Sequence, residues 1–191
     1  MDAMKTYRIF CLVLSLILLS ACEIRMSPYL SKLLRTQTDS SYYQSKSEVL
    51  TNQIAKDIEE YEIDRIAIMD FVDEEKRVSI LGEYLSSRVI EAFTGRSLFQ
   101  DRTFRVTQKG EVNAVLKKLS LQHQYLYAKN DLKLLGKTLD SQAIVTGKIT
   151  DLGTNLDIHL TLTDVVTGEV ISSATQHLTR TKFAVEMLRQ H

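Results

Sequence analysis

The side chains able to do chemistry are few and scattered. His123, His159 and His177 lie too far apart for a paired-ligand motif, and each reads as a surface or edge residue. Gly95-Arg96-Ser97-Leu98-Phe99 begins like a nucleophile elbow, but Phe99 stands where that turn requires a glycine. Gly147-Lys148-Ile149-Thr150 holds only the Gly-Lys of a phosphate loop, because Gln142 occupies the place of its first glycine. Asp70, Asp73, Glu74 and Glu75 could hold a cation, although the run reads more simply as a solvated loop. Asp151, Asn155 and Asp157 likewise suit a hairpin turn better than a calcium loop. No catalytic residue, cofactor-binding residue or metal ligand is therefore assigned, and the chain is read as non-enzymatic.

The cysteines say more. There are two, Cys11 and Cys22, too few for a disulfide framework. Lys5 and Arg8 precede the apolar run Ile9–Leu19, broken only by Ser15. That run makes about 16 Å of helix, roughly half of a hydrocarbon core, which suits a secretory signal peptide and is too short to span. Leu19-Ser20-Ala21-Cys22 then resembles the lipobox of bacterial lipoproteins. The resemblance implies a diacylglycerol thioether on Cys22, cleavage after Ala21 and a further acyl chain on the new amino terminus. Cys11 is lost with residues 1–21, so the mature chain keeps a single thiol. Two or three acyl chains, at about 0.8 kcal/mol per buried methylene, hold firmly to a membrane without spanning it. Glu23, where an Asp favours retention in the inner membrane, points to a periplasm-facing place on the outer membrane.

Twenty-four basic residues balance 24 acidic ones, so no basic footprint argues for nucleic acid. Residues 22–46, rich in Ser, Thr and Gln, read as a lipidated N-terminus and flexible tether with a reach of about 25–30 Å. Tyr42-Tyr43 could meet a partner or pack back on the domain. Residues 47–191 read as one domain. A helix carries Leu50, Ile54, Ile58 and Tyr61, and the apolar stretch Ile66–Met69 reads as a strand buried on both faces. A helix follows with Leu81, Leu85, Val89 and Phe93, widened by Ile80, Tyr84 and Ile90 and ended by Gly95. Phe104–Thr107 is a short strand, and Val112, Val115, Leu116 and Leu119 mark a third helix. Asn130 is placed to cap a fourth, with Leu132, Leu135 and Leu139. Ala143–Ile149, the strictly alternating Leu156–Thr163 and Glu169–Leu178 form a meander with one wet face. A last helix bears Phe183, Val185 and Leu188. The fold class is α/β: a single mixed sheet, strand-helix-strand-helix-helix and then an antiparallel meander, with helices packed on it.

Several segments taken in order resemble the FlgO-type domain of flagellar outer-membrane lipoproteins. They are Arg65–Asp73, Leu81-Gly-Glu-Tyr-Leu85, Phe104-Arg-Val106, Val115–Leu119, Leu135-Gly136-Lys137, Ala143–Gly153 and Thr167-Gly-Glu-Val170. The resemblance implies a structural or assembly component at the outer-membrane end of the flagellum that supports motility. Its expected partners are membrane lipid through Cys22 and the flagellar outer-membrane ring proteins, with self-association left open. It offers no catalytic residue. Two rivals remain: a periplasm-facing lipoprotein that docks on and regulates a peptidoglycan synthase, and an oligomeric lipoprotein of the curli-secretion type. The second needs lipid-facing strands, which Ser172, Ala174 and Gln176 do not suit.

Overall fold

The computed structural model describes residues 39–95 and 104–191, so the signal segment, Cys22 and the Gly95–Phe99 elbow lie wholly or partly outside the described residues. Among the described residues five helices and five strands follow in chain order: α1 (Asp39–Glu60), β1 (Arg65–Ile68), α2 (Ile80–Thr94), β2 (Arg105–Val106), α3 (Lys109–Leu119), α4 (Lys129–Leu139), β3 (Ala143–Asp151), β4 (Asn155–Asp164), β5 (Val170–Thr179) and α5 (Lys182–Arg189). The strands form one mixed sheet ordered β2-β1-β3-β4-β5. β1 runs parallel to both neighbours, pairing Ile66 with Val106 and with Ala143. The rest is antiparallel, with a bulge between Leu162 and Thr163. The fold class and element order expected from the sequence are those observed.

The two faces of the sheet are covered unequally. On one, α1, α2 and α5 bury a large core in which Leu50, Ile54, Ile58, Leu85, Val89 and Phe93 meet the even-numbered residues Leu156–Leu162. On the other, α3 and α4 cover Ala67, Met69 and Ile144 and reach no further than Val165. β1 must serve both cores, which is why its interior is apolar on both sides.

Phe71, fully buried, sits where β1 leaves the sheet. A Cβ on Gly147 would lie 2.4 Å from its ring, and one on Gly82 would lie 2.1 Å from its carbonyl oxygen. Both positions are glycine because a strand and a helix approach this ring and this backbone more closely than any side chain allows. Gly147-Lys148 is thus the interior of a strand and not a phosphate loop.

Several expectations are corrected. The segment 22–46 is not tether throughout, because α1 already begins at Asp39. Its stripe runs Tyr43, Ser47, Leu50, Thr51, Ile54, Ile58, and two of its buried positions are hydroxyl residues that hide the period. The Thr51 hydroxyl is satisfied within the helix, donating to the Ser47 carbonyl at 2.8 Å. Tyr43 packs back on the domain, edge-on to Tyr84 at 5.7 Å between ring centres. At the other end Glu62 turns left-handed and the Ile63 N–H closes onto the Ile58 carbonyl, so Ile63 is buried and Tyr61 is exposed. Gly95 ends α2 without the left-handed turn, at φ −81°. Ala128 precedes α4 and Asn130 lies within its first turn. In α5 the Thr181 hydroxyl accepts from the Ala184 N–H, which turns Ala184, Val185 and Leu188 inward and leaves Phe183 half exposed; Ile80, at the start of α2, is half exposed as well.

Candidate functional site

Two features outside the apolar cores concentrate polar chemistry. The first lies just beyond the carboxyl end of β1, whose neighbours β2 and β3 stand on opposite sides of it. In open α/β sheets such a reversal of strand order opens a crevice. Here the crevice is a cleft of about 450 Å³ lined by Asp70, Glu83, Asn113, Lys117 and His123. Asp70 comes from the strand end, Ser86 from α2, Lys109 and Asn113 from α3, and His123 from the connector after α3.

These groups satisfy one another. The Asp70 carboxylate, 4% exposed, accepts from the Ser86 hydroxyl at 2.5 Å and pairs with Lys109 Nζ at 2.7 Å. The Asp70 backbone N–H donates to His123 Nδ1 at 3.0 Å, so Nδ1 carries no proton. Nε2 therefore carries it and donates to Asn113 Oδ1 at 3.1 Å, with Asp70 Oδ2 at 3.6 Å. The histidine is neutral in this arrangement. Burial holds its pKa below the ordinary 6.5, Lys109 adds to that, and Asp70 and Glu83 oppose it. His123 is thus a mostly buried residue in the wall of the cleft, and Asp70 is no part of a solvated loop.

A pH dependence follows. The unfolded chain takes up a proton on His123 below 6.5 while the native state does not, so stability is complete above that pH and falls as acid is added. The urea midpoint is expected to drop from pH 7.5 to 5.5 in the native chain and to drop less in His123→Gln. Parallel curves for the two proteins would contradict the assignment.

The remaining carboxylates do not converge. Asp73 receives Arg77 through Nε at 3.2 Å and Nη2 at 3.1 Å and accepts the Arg77 backbone N–H at 2.8 Å, Glu75 pairs with the same Arg77 Nη2 at 2.7 Å, and Glu74 is exposed. Asp151 takes a two-pronged contact from Arg180, at 2.8 and 3.1 Å, which holds its carboxyl below the usual range. Its Oδ1 also accepts the Gly153 N–H in the hairpin. Asp157 pairs across the strands with His177 at 2.6 Å. Among the described residues no three His, Cys, Asp or Glu side chains gather as a metal would require.

The second feature is the half of the sheet that α3 and α4 leave bare. Its odd-numbered residues form cross-strand rows, Lys148, His159 and Thr175, then Thr150, Asp157 and His177, with β3 residues even by register; in the next row, Thr146, Thr161 and Ser173, both threonines are buried and the Thr146 hydroxyl donates to the Tyr125 carbonyl at 2.7 Å. His159 Nδ1 meets the Thr175 hydroxyl at 3.0 Å, and Thr146 meets Thr161 at 2.8 Å. The result is a polar surface on which His159 and Thr175, and Asp157 and His177, are held in place by their neighbours across the strands. The alternation in β4 already marked this face as wet. What the sequence could not reveal is the Asp70 cluster, whose members come from four separate segments and share no spacing.

Among the described residues no helix is long and apolar enough to cross a membrane. Cys22 and Ala21, the lipidation site expected from the sequence, lie outside the described residues.

No family model matches the chain, and no curated protein does. Solved structures do. The LpoB C-terminal domain from Salmonella enterica is similar with a TM-score of 0.51 at 11% identity, over 72% of this chain and 98% of that one. The LpoB C-terminal domain from Escherichia coli gives 0.52 at 10% identity over the same shares. The NMR structure of E. coli LpoB gives 0.52 at 10% identity, over 70% of this chain and 68% of that one. At such identities the likeness is one of fold, over about seven tenths of this chain.

Proposed function

We propose that the chain is a non-enzymatic outer-membrane lipoprotein whose domain docks on and regulates a peptidoglycan synthase in the periplasm. The carrying observation is the face of β3, β4 and β5 where Lys148 and His159 are half-exposed and Thr175 is exposed, with no helix among the described residues over them. Polar, preformed surfaces suit protein docking, where hydrogen-bonding groups fix the register and little side-chain freedom is lost. The fold likeness to LpoB favours the wall-synthase reading over the flagellar one. The lipobox at Leu19–Cys22 supplies the anchor.

Reach is the constraint. The stretch from Cys22 to Thr38 cannot exceed about 60 Å however it is arranged, so the partner must itself extend close to the outer membrane. Lengthening that stretch is not required for docking under this reading.

The test is glycan-strand synthesis by the host's bifunctional synthases, followed on lipid-linked precursor with the acylated chain added in detergent. Faster synthesis with one synthase is expected, and Lys148→Glu together with His159→Glu should abolish the gain while leaving the melting curve in place. Cys22→Ser should leave the precursor uncleaved and unacylated by mass spectrometry and remove the effect in cells. A deletion strain with an intact wall and paralysed flagella would instead select the FlgO-type reading that the sequence motifs support.

A further inference from the structure

We propose that β5 is a self-pairing edge, and that two copies of the chain join β5 to β5 antiparallel across a two-fold axis at Thr175. The sheet ends on one side in β2, only two residues long, and on the other in β5, which has ten. Natural edges of that length are blunted by lysine, proline or an inward charge, because a row of free N–H and C=O groups recruits another strand. The sequence of β5, Val170–Thr179, carries no Lys, Arg, Asp, Glu or Pro.

The backbone phase says which residues offer that row. The Asn155 carbonyl accepts from Leu152 across the β3–β4 hairpin, so the odd residues of β4 turn their backbone groups to β3 and the even ones to β5. By register the even residues of β5 then answer β4, and Ser173, Thr175 and His177 direct N–H and C=O outward. The far end agrees: the Thr179 N–H leaves the sheet and donates to the Tyr42 hydroxyl at 2.7 Å. Tyr42 thereby closes one end of the edge and sets the open run at Ser173–His177.

An occupant must therefore present an uncharged extended segment whose own outward groups fall on alternate residues. A second β5 does so. With Thr175 opposite Thr175, Ser173 of each copy faces His177 of the other, and all three positions exchange both backbone bonds. Charge supports the antiparallel direction. Exposed Glu169 lies just before the strand and Lys182, whose side chain is 93% exposed, lies just after it, Arg180 being held by Asp151, so each end brings Glu169 of one copy near Lys182 of the other. A parallel pairing would put like charges side by side.

The test is sedimentation of the mature acylated chain in detergent across a concentration series. A reversible dimer is expected. Thr175→Pro removes an N–H that points away from β4, so the fold tolerates it. By symmetry it deletes two intermolecular bonds and should weaken the dimer about thirty-fold with an unchanged melting curve. Glu169→Lys should weaken it as well, and this variant decides the matter alone if Thr175→Pro fails to fold. A monomer at every concentration, or a dimer indifferent to both substitutions, would overturn the proposal.

Discussion

Phe71→Ala should cost about 3–5 kcal/mol and Gly147→Ala about 1–3 kcal/mol, yet together they should cost less than the sum. Phe71 is fully buried at the exit of β1, and removing its ring leaves a cavity between the sheet and α2. A methyl on Gly147 would enter that same volume, since its Cβ would lie 2.4–2.7 Å from three atoms of the ring. In the double variant the methyl occupies space the ring has vacated, so a favourable coupling appears in the cycle. Gly82→Ala is the control. Its clash, at 2.1 Å, is with the Phe71 carbonyl oxygen, which Phe71→Ala leaves untouched, so those two costs should add. Urea midpoints at constant slope decide the matter. Additivity for Gly147 as well as Gly82 would mean that the ring is not what holds β3 in place.

Lys109→Met should destabilise the domain by about 3 kcal/mol, and Asp70→Asn by only about 1 kcal/mol. The asymmetry comes from access to water. Asp70 is 4% exposed, so without Lys109 its carboxylate keeps one close donor, Ser86, and cannot reach solvent. Lys109 is 32% exposed, so without the carboxylate its ammonium can swing outward, and an amide at position 70 still accepts from Ser86. Equal losses in urea unfolding at pH 7 would show that the cation is as trapped as the anion.

How far the sequence spoke depends on whether a pattern was local. β4 was legible residue by residue, because strict alternation admits only one face as core, and the same alternation marked the bare rows of His159 and Asp157 as wet. β1 was legible because an apolar run ending in Asp70 fits a strand between two layers. The first two turns of α1 were missed because residues 39–46 are polar apart from Tyr42 and Tyr43 and read as linker. Phe183 was misassigned because the phase of a two-turn helix is set by its cap, Thr181, and not by its most apolar residue. The Asp70 cluster was out of reach altogether: Asp70, Ser86, Lys109 and His123 meet only because β1, α2 and α3 converge at the reversal of strand order. The outward phase of β5 likewise needs the pairing register, since an edge and a central strand of the same composition look identical in one dimension.

The grip of Tyr42 and Tyr43 has a mechanical consequence. Whatever drags on the chain from the side of Thr38 meets the fold at the start of α1, and there the first resistance is a hydroxyl fastened to the Thr179 backbone and a ring wedged against Tyr84. Tension from that side would strip these two fastenings before it loaded a single strand, so the start of the helix gives way first and spares the sheet.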